Sequence, residues 1–259
     1  MRHNLLGENR FSRYLLYALG EIILVVIGIL IALQINTWNQ ERLLQKEEVG
    51  YLKRIIGDLE LDLQALEGVR INYETRLILG SNVLSLLGPN NLETLKRRPG
   101  YQQALAHIPE YTESLRASFG RKFYLILAIS RFSQTENAYQ EMLDNGKIAI
   151  IQDESLKLDL QKQYKQLLNT RSFQDEVVMH IQHAYREALS ENGISTLSEA
   201  PFEEIYPALS DKKTLTIELE NYLQISEAQL VNYIYADNSI ANNTRQLISK
   251  IKNYLVKEK

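Results

Sequence analysis

Residues 22–33 read IILVVIGILIAL, an unbroken apolar run preceded by YLLYALG and a single acid, Glu21. From Ala18 to Thr37 the stretch has about 20 residues, which at about 1.5 Å rise each cross roughly 30 Å of hydrocarbon. Tyr17 and Trp38 flank it, and rings with one polar edge settle at a bilayer interface. Residues 14–38 are therefore expected to be a transmembrane helix, behind a short basic tail, residues 1–13, that carries Arg2, Arg10 and Arg13. No small-x-small cleavage site follows in Gln34 to Asn39, so the segment reads as an uncleaved signal anchor.

Past the anchor the period stays helical. Val49, Leu52, Ile56, Leu59, Leu63 and Leu66 advance by threes and fours, and Tyr73, Leu77, Leu84 and Leu87 resume the register beyond Arg70. This heptad stripe predicts one long helix, continuous with the anchor and ended by Gly88-Pro89. Residues 91–98 predict a short helix closed by Pro99-Gly100. Tyr111 to Arg131 predicts a helical stretch around an apolar patch, 123–129, too short to span a bilayer. Ser133 with Glu136 has capping-box spacing for a helix closed at Asn145-Gly146. Asp153 caps a long helix to about Glu191, with Leu156, Leu160, Tyr164, Leu167, Val178, Ile181 and Tyr185 on its apolar side and Asn192-Gly193 at its end. Residues 201–207 read as a linker. Lys212 to Tyr222 and Ser226 to Lys257 complete the chain, the second helix opened by Ser226 and Gln229. The expectation is an all-α protein: a transmembrane helix continuing into a long juxtamembrane helix, then an antiparallel bundle, residues 39–259 forming the extramembrane domain.

Charge and composition refine this picture. The chain carries −3 overall. Beyond residue 38 there are 26 basic and 30 acidic residues, which offers no electrostatic footprint for nucleic acid. Zero cysteines remove disulfides, thiolate metal sites and a cysteine nucleophile. Positive charge on the two sides of the anchor is close to a tie. A short arginine tail usually stays in the cytoplasm while the long domain is translocated, so the expected topology is N-in, C-out.

Within the anchor, Gly28 and Ala32 belong to a small-residue stripe, and Glu21 lies seven residues before Gly28. Small residues let helices approach closely in lipid, and an intramembrane acid normally points at protein or water. Self-association, or docking to a partner membrane protein, through Glu21, Gly28 and Ala32 is the leading expectation, with snorkelling of Glu21 to the headgroups as the milder one.

The block Arg13 to Asn39, RYLLYALGEIILVVIGILIALQINTWN, closely resembles the start of domain-of-unknown-function family 6090, bacterial single-pass membrane proteins. Ala138 to Ile151, AYQEMLDNGKIAII, is similar to that family's short helix, glycine and apolar turn. The resemblance implies an anchor motif made of Glu21, Gly28, Gln34, Asn36 and Trp38. It brings no catalytic residue and no ligand. Residues 88–131 show none of it.

Nucleophile-elbow, phosphate-loop and dinucleotide signatures are missing from the sequence, and no cofactor is expected. One constellation stands out: Glu176, His180, His183 and Glu187, whose four-three-four spacing places them on one side of a regular helix and suits a metal. A solvated face of i,i+4 polar pairs is the weightier reading. The functional expectation is a non-enzymatic, oligomeric scaffold or sensor of the cell envelope. The alternatives are a channel or transporter subunit using Glu21 and a metal-dependent enzyme at His180 and His183.

Overall fold

The computed structural model describes residues 8–87, 93–107, 126–127, 131–194 and 213–257. Those residues contain no strand. They form α1 (Glu8–Leu87), α2 (Glu93–Lys96), α3 (Pro99–His107), α4 (Asn137–Asp144), α5 (Glu154–Phe173), α6 (Met179–Glu191), α7 (Lys213–Leu230) and α8 (Ile240–Lys257). A 3₁₀ turn covers Lys147–Ile150, and π turns follow α5 at Gln174–Val178 and α7 at Val231–Tyr235. The chain divides into two compact units, residues up to Tyr51 and residues from Leu52 onward. The expected anchor segment, 14–38, lies wholly within the first.

In the second unit the buried face of α1 runs Leu52, Ile55, Leu59, Asp62, Leu66, Val69, Tyr73, Arg76, Gly80 and Val83, an unbroken alternation of three and four. The stripe expected from apolar residues alone overlaps it but differs at one telling place: Leu63 is only partly buried, whereas Asp62 is 1% exposed. Arg76, at 2%, is the other charged residue on this face. From Leu52 onward the stripe is thus covered by the chain's own helices.

Cross-helix pairs fix the directions. Arg54, Asp58 and Asp62 on α1 meet Glu141, Ala138 and Thr135 in that order, so α4 runs antiparallel to α1. Gly80 and Arg76 lie against Leu223 and Ser226 of α7, and Glu60 pairs with Lys252 of α8, again antiparallel. Gln163 and Asp159 of α5 bond Thr244 and Lys250 of α8. The expected antiparallel bundle is the architecture of this unit.

Several boundaries differ from the sequence expectation, each for a local reason. Pro99 opens α3 instead of closing the helix before it. Proline has no N–H to lose at a first helical position, and the Arg98 carbonyl accepts from the Tyr101 and Gln102 amides at 3.1 and 3.2 Å. Ser133 does not cap α4. That helix starts at Asn137 without a side-chain cap of its own, and its Ala138 N–H donates to Asp58 Oδ2 of α1 at 2.8 Å. Ser226 lies inside α7, its hydroxyl donating to the Tyr222 carbonyl one turn back at 2.7 Å. The helix boundary sits instead at Ala236-Asp237-Asn238-Ser239, where the Asn242 N–H donates to Ser239 Oγ ahead of α8. Asp153 caps α5 as expected, accepting from the Leu156 N–H at 2.9 Å, and Gly146 and Gly193 close their helices with φ of 64° and 74°. The Gly88-Pro89 stop, the linker 201–207 and most of the stretch 111–131 lie outside the described residues.

Candidate functional site

Every side chain from Tyr14 to Leu44 on α1 is exposed. Tyr17, Glu21, Gly28, Ala32 and Trp38 all lie on this segment. At 100° per residue Gly28 and Ala32 fall about 20° to either side of Glu21, so the three share one face. A Cβ placed on Gly28 would meet nothing within 4 Å, which leaves that face open. Tyr17 and Trp38 stand roughly 32 Å apart along the axis, the thickness of a hydrocarbon core. The Arg42 guanidinium sits 6.0 Å from the Trp38 ring, a cation beside the aromatic girdle position. Among the described residues this is the single helix long and apolar enough to cross a membrane.

The proposed metal set is not gathered. Glu176 lies in the π turn, whose extra residue shifts it relative to His180, His183 and Glu187, which all follow in the regular helix α6. Glu176, His180, His183 and Glu187 are all exposed, and no group of three or more His, Asp or Glu among the described residues is placed to hold a metal ion. Of the four, His180 lines a cavity of about 480 Å³ between α6 and α7, with Arg98, Glu218, Asn221 and Gln224.

No local pattern in the sequence signals the polar layer inside the bundle. The Arg76 guanidinium is sandwiched between the rings of Tyr73 and Tyr222, 4.6 and 4.7 Å away. Its Nε donates to the Ile126 carbonyl at 3.0 Å and one terminal nitrogen to Ser226 Oγ at 3.2 Å. Beside it Gln182 donates to the Leu127 carbonyl, 2.9 Å. Two further buried carboxylates are paired: Glu74 with Arg70 and the Tyr235 hydroxyl, and Glu227 with Arg98 at 2.6 Å. Burial pushes the Tyr222 phenol up to about 12 and those of Tyr185 and Tyr233 higher still, so all three stay protonated at neutral pH. Partners 50 to 160 residues apart build this layer, which local pattern cannot reveal. Chemically it positions helices.

A third cluster stands where α4 docks on α1. Thr135 N–H donates to Asp62 Oδ1 at 2.6 Å and Ala138 N–H to Asp58 Oδ2 at 2.8 Å, while Arg54 grips Glu141 through both terminal nitrogens, 2.6 and 3.1 Å. Tyr139 of α4 stacks on Tyr164 of α5, centroids 3.9 Å apart and planes 3° from parallel. Burial, with the like charges of Asp58 and Glu136, pushes Asp62 up to about 6 against the two hydrogen bonds from Thr135.

No curated protein and no solved structure matches the chain. Residues 21–93 match the model of a family of unknown function, DUF6090, an interval that holds Glu21, Gly28, Ala32 and Trp38 together with the α1 stripe and stops short of residues 138–151.

Proposed function

We propose that this is a non-enzymatic, single-pass protein of the bacterial inner membrane, with its bundle in the periplasm, that works as a scaffold or sensor by engaging other membrane proteins or copies of itself. One observation carries the reading: an apolar helical segment from Tyr14 to Leu44 with every side chain exposed, a larger uncovered apolar surface than a soluble monomer keeps. Self-association falls to the membrane segment, to the face of Glu21, Gly28 and Ala32, because the stripe from Leu52 to Val83 is occupied within the chain. The Glu21 carboxylate on that face favours protein contact over lipid contact.

The absence of cysteine makes the test clean. In the full chain expressed in bacteria, Lys257→Cys should react with a membrane-impermeant maleimide once the outer membrane is opened, and Asn4→Cys should not. The reverse pattern refutes the orientation. Oxidative crosslinking of Ala32→Cys in native membranes should trap a disulfide-linked dimer, and a photoactivatable maleimide on the same cysteine should trap an adduct with any partner protein. A monomer without any adduct sinks the scaffold reading, and recovery of the chain in the soluble fraction after an alkaline wash sinks the anchor.

A further inference from the structure

Asp62 is buried among the groups that hold α4 on α1, and one of its two oxygens is bonded while the other, Oδ2, has no hydrogen-bond partner among the described residues. The Tyr164 hydroxyl, on a residue 5% exposed, is likewise unpartnered, and it feels the charges of both Asp58 and Asp62. The charged groups acting on Asp62 are acids: Asp58 from its own helix and Glu136 from the segment leading into α4. Thr135 faces it with its backbone N–H and hydroxyl, and α5 adds the neutral phenol of Tyr164. A carboxylate so placed lacks a counter-charge among the described residues and has one oxygen idle. Binding a proton removes the repulsion and turns that oxygen into a donor amid acceptors.

We infer that Asp62 is a proton-binding latch between α1 and α4: with a proton on Oδ2 the segment 131–144 is held firmly on α1, and on release of that proton the segment loosens. The proton comes from solvent and returns to it, with no other bond made or broken. The Thr135 N–H bond to Oδ1 survives in both forms, so the latch changes the strength of the contact without dismantling it. The bundle then reports the acidity of its compartment through the seat of α4. This inference concerns the soluble bundle alone and does not depend on the membrane reading.

The direction follows from linkage. Asp62 takes its proton at about 6 in the folded chain and at the ordinary 3.8 when released, so the folded form binds more protons between those values and loses stability as pH rises through them. For opening of this segment the equilibrium should be about tenfold larger at pH 7.5 than at pH 5. Hydrogen exchange of the full chain in mild detergent, corrected for intrinsic exchange rates, reads it directly over residues 131–144. Wild type should be about tenfold better protected at pH 5 than at pH 7.5, and Asp62→Asn, which keeps an acceptor for Thr135, should be equally protected at both. An identical pH response in Asp62→Asn, or none in wild type, overturns the latch. Should that variant not fold, infrared titration of wild type decides: a buried carboxyl carbonyl band that disappears with a midpoint near 6 supports it, and the lack of any carboxyl titrating above about pH 5 overturns it.

Discussion

Glycine-to-alanine replacement at four positions of the second unit should give opposite signs at chemically identical changes. At Gly57 and Gly68, both on the outer side of α1, a Cβ meets nothing within 4 Å. There the gain is the helix preference of alanine plus the lost freedom of the unfolded chain, about 0.5–1 kcal/mol each. At Gly80 the Cβ lands on Leu223, 2.8 Å from Cδ1 and closer to Cδ2, and Leu223 is fully buried with no room to retreat. Overpacking of this kind costs about 1–3 kcal/mol, which outweighs the intrinsic gain. Gly100 is worse placed. Its Cβ lies 2.9 Å from Glu227 Cδ and collides with Val231 Cγ2, and Glu227 cannot move without leaving Arg98. Disturbing a carboxylate that is only 3% exposed brings the net loss to about 2–4 kcal/mol, below the figure for a fully buried pair because Arg98 keeps water. Thermal melts of full-length protein in mild detergent, followed by helical circular dichroism, should show rises of about 1–4 °C at positions 57 and 68, a fall of about 1–8 °C at 80 once the intrinsic gain is subtracted, and a fall of about 4–16 °C at 100. A rise at Gly80 or Gly100 equal to that at Gly57 would mean that the packing of α7 and α3 described here is wrong.

Three further outcomes test other parts of the fold. Asp58→Ala removes an acceptor from the α4 N-terminus and should lower stability by about 1 kcal/mol, whereas Arg54→Ala breaks an ion pair about half exposed on each side and should change it by less than about 0.5 kcal/mol in the same urea titration. Arg76→Met keeps the length of the buried side chain but leaves the Ile126 carbonyl and the tyrosine faces without their cation, so unfolding free energy should fall by about 2–4 kcal/mol with an unchanged denaturant slope. Ile27→Arg tests the proposed span: a charge at its middle costs about 3 kcal/mol, and carbonate extraction should release a larger fraction of the variant than of wild type.

The long exposed apolar helix was legible because its composition is written in consecutive residues, from Ile22 to Leu33. The helical class was legible for a similar reason, since periods of three and four persist wherever turns do not intervene. What sequence could not show were choices settled between distant residues. Asp62 and Arg76 occupy buried stripe positions, and because a heptad stripe is read from apolar residues, Leu63 stands in for Asp62 in the sequence pattern. Ser226 looked like a cap because local spacing fits, but its hydroxyl is used by Tyr222 and Arg76, the latter 150 residues away. The α4 N-terminus takes its cap from Asp58, 80 residues earlier, which no local capping rule reaches. Glu176 shared a face with His180, His183 and Glu187 only on a regular helix, and the π turn shifts Glu176 while the other three keep their spacing on α6.

The antiparallel return of α8 onto α1 also sets the order in which the molecule is made. Glu60 meets Lys252 across 192 residues of chain. At about 5–20 residues per second of synthesis, the apolar face of α1 therefore waits roughly 10–40 s after its own translation for the last helix that covers it. During that interval the part of the face that α7 and α8 cover lacks its packing, and so many distant closures make folding slow as well as late. A chain cut off before α7 would leave the part of that face around Arg76 and Gly80 open permanently, so truncation should turn this protein into a client of chaperones and proteases.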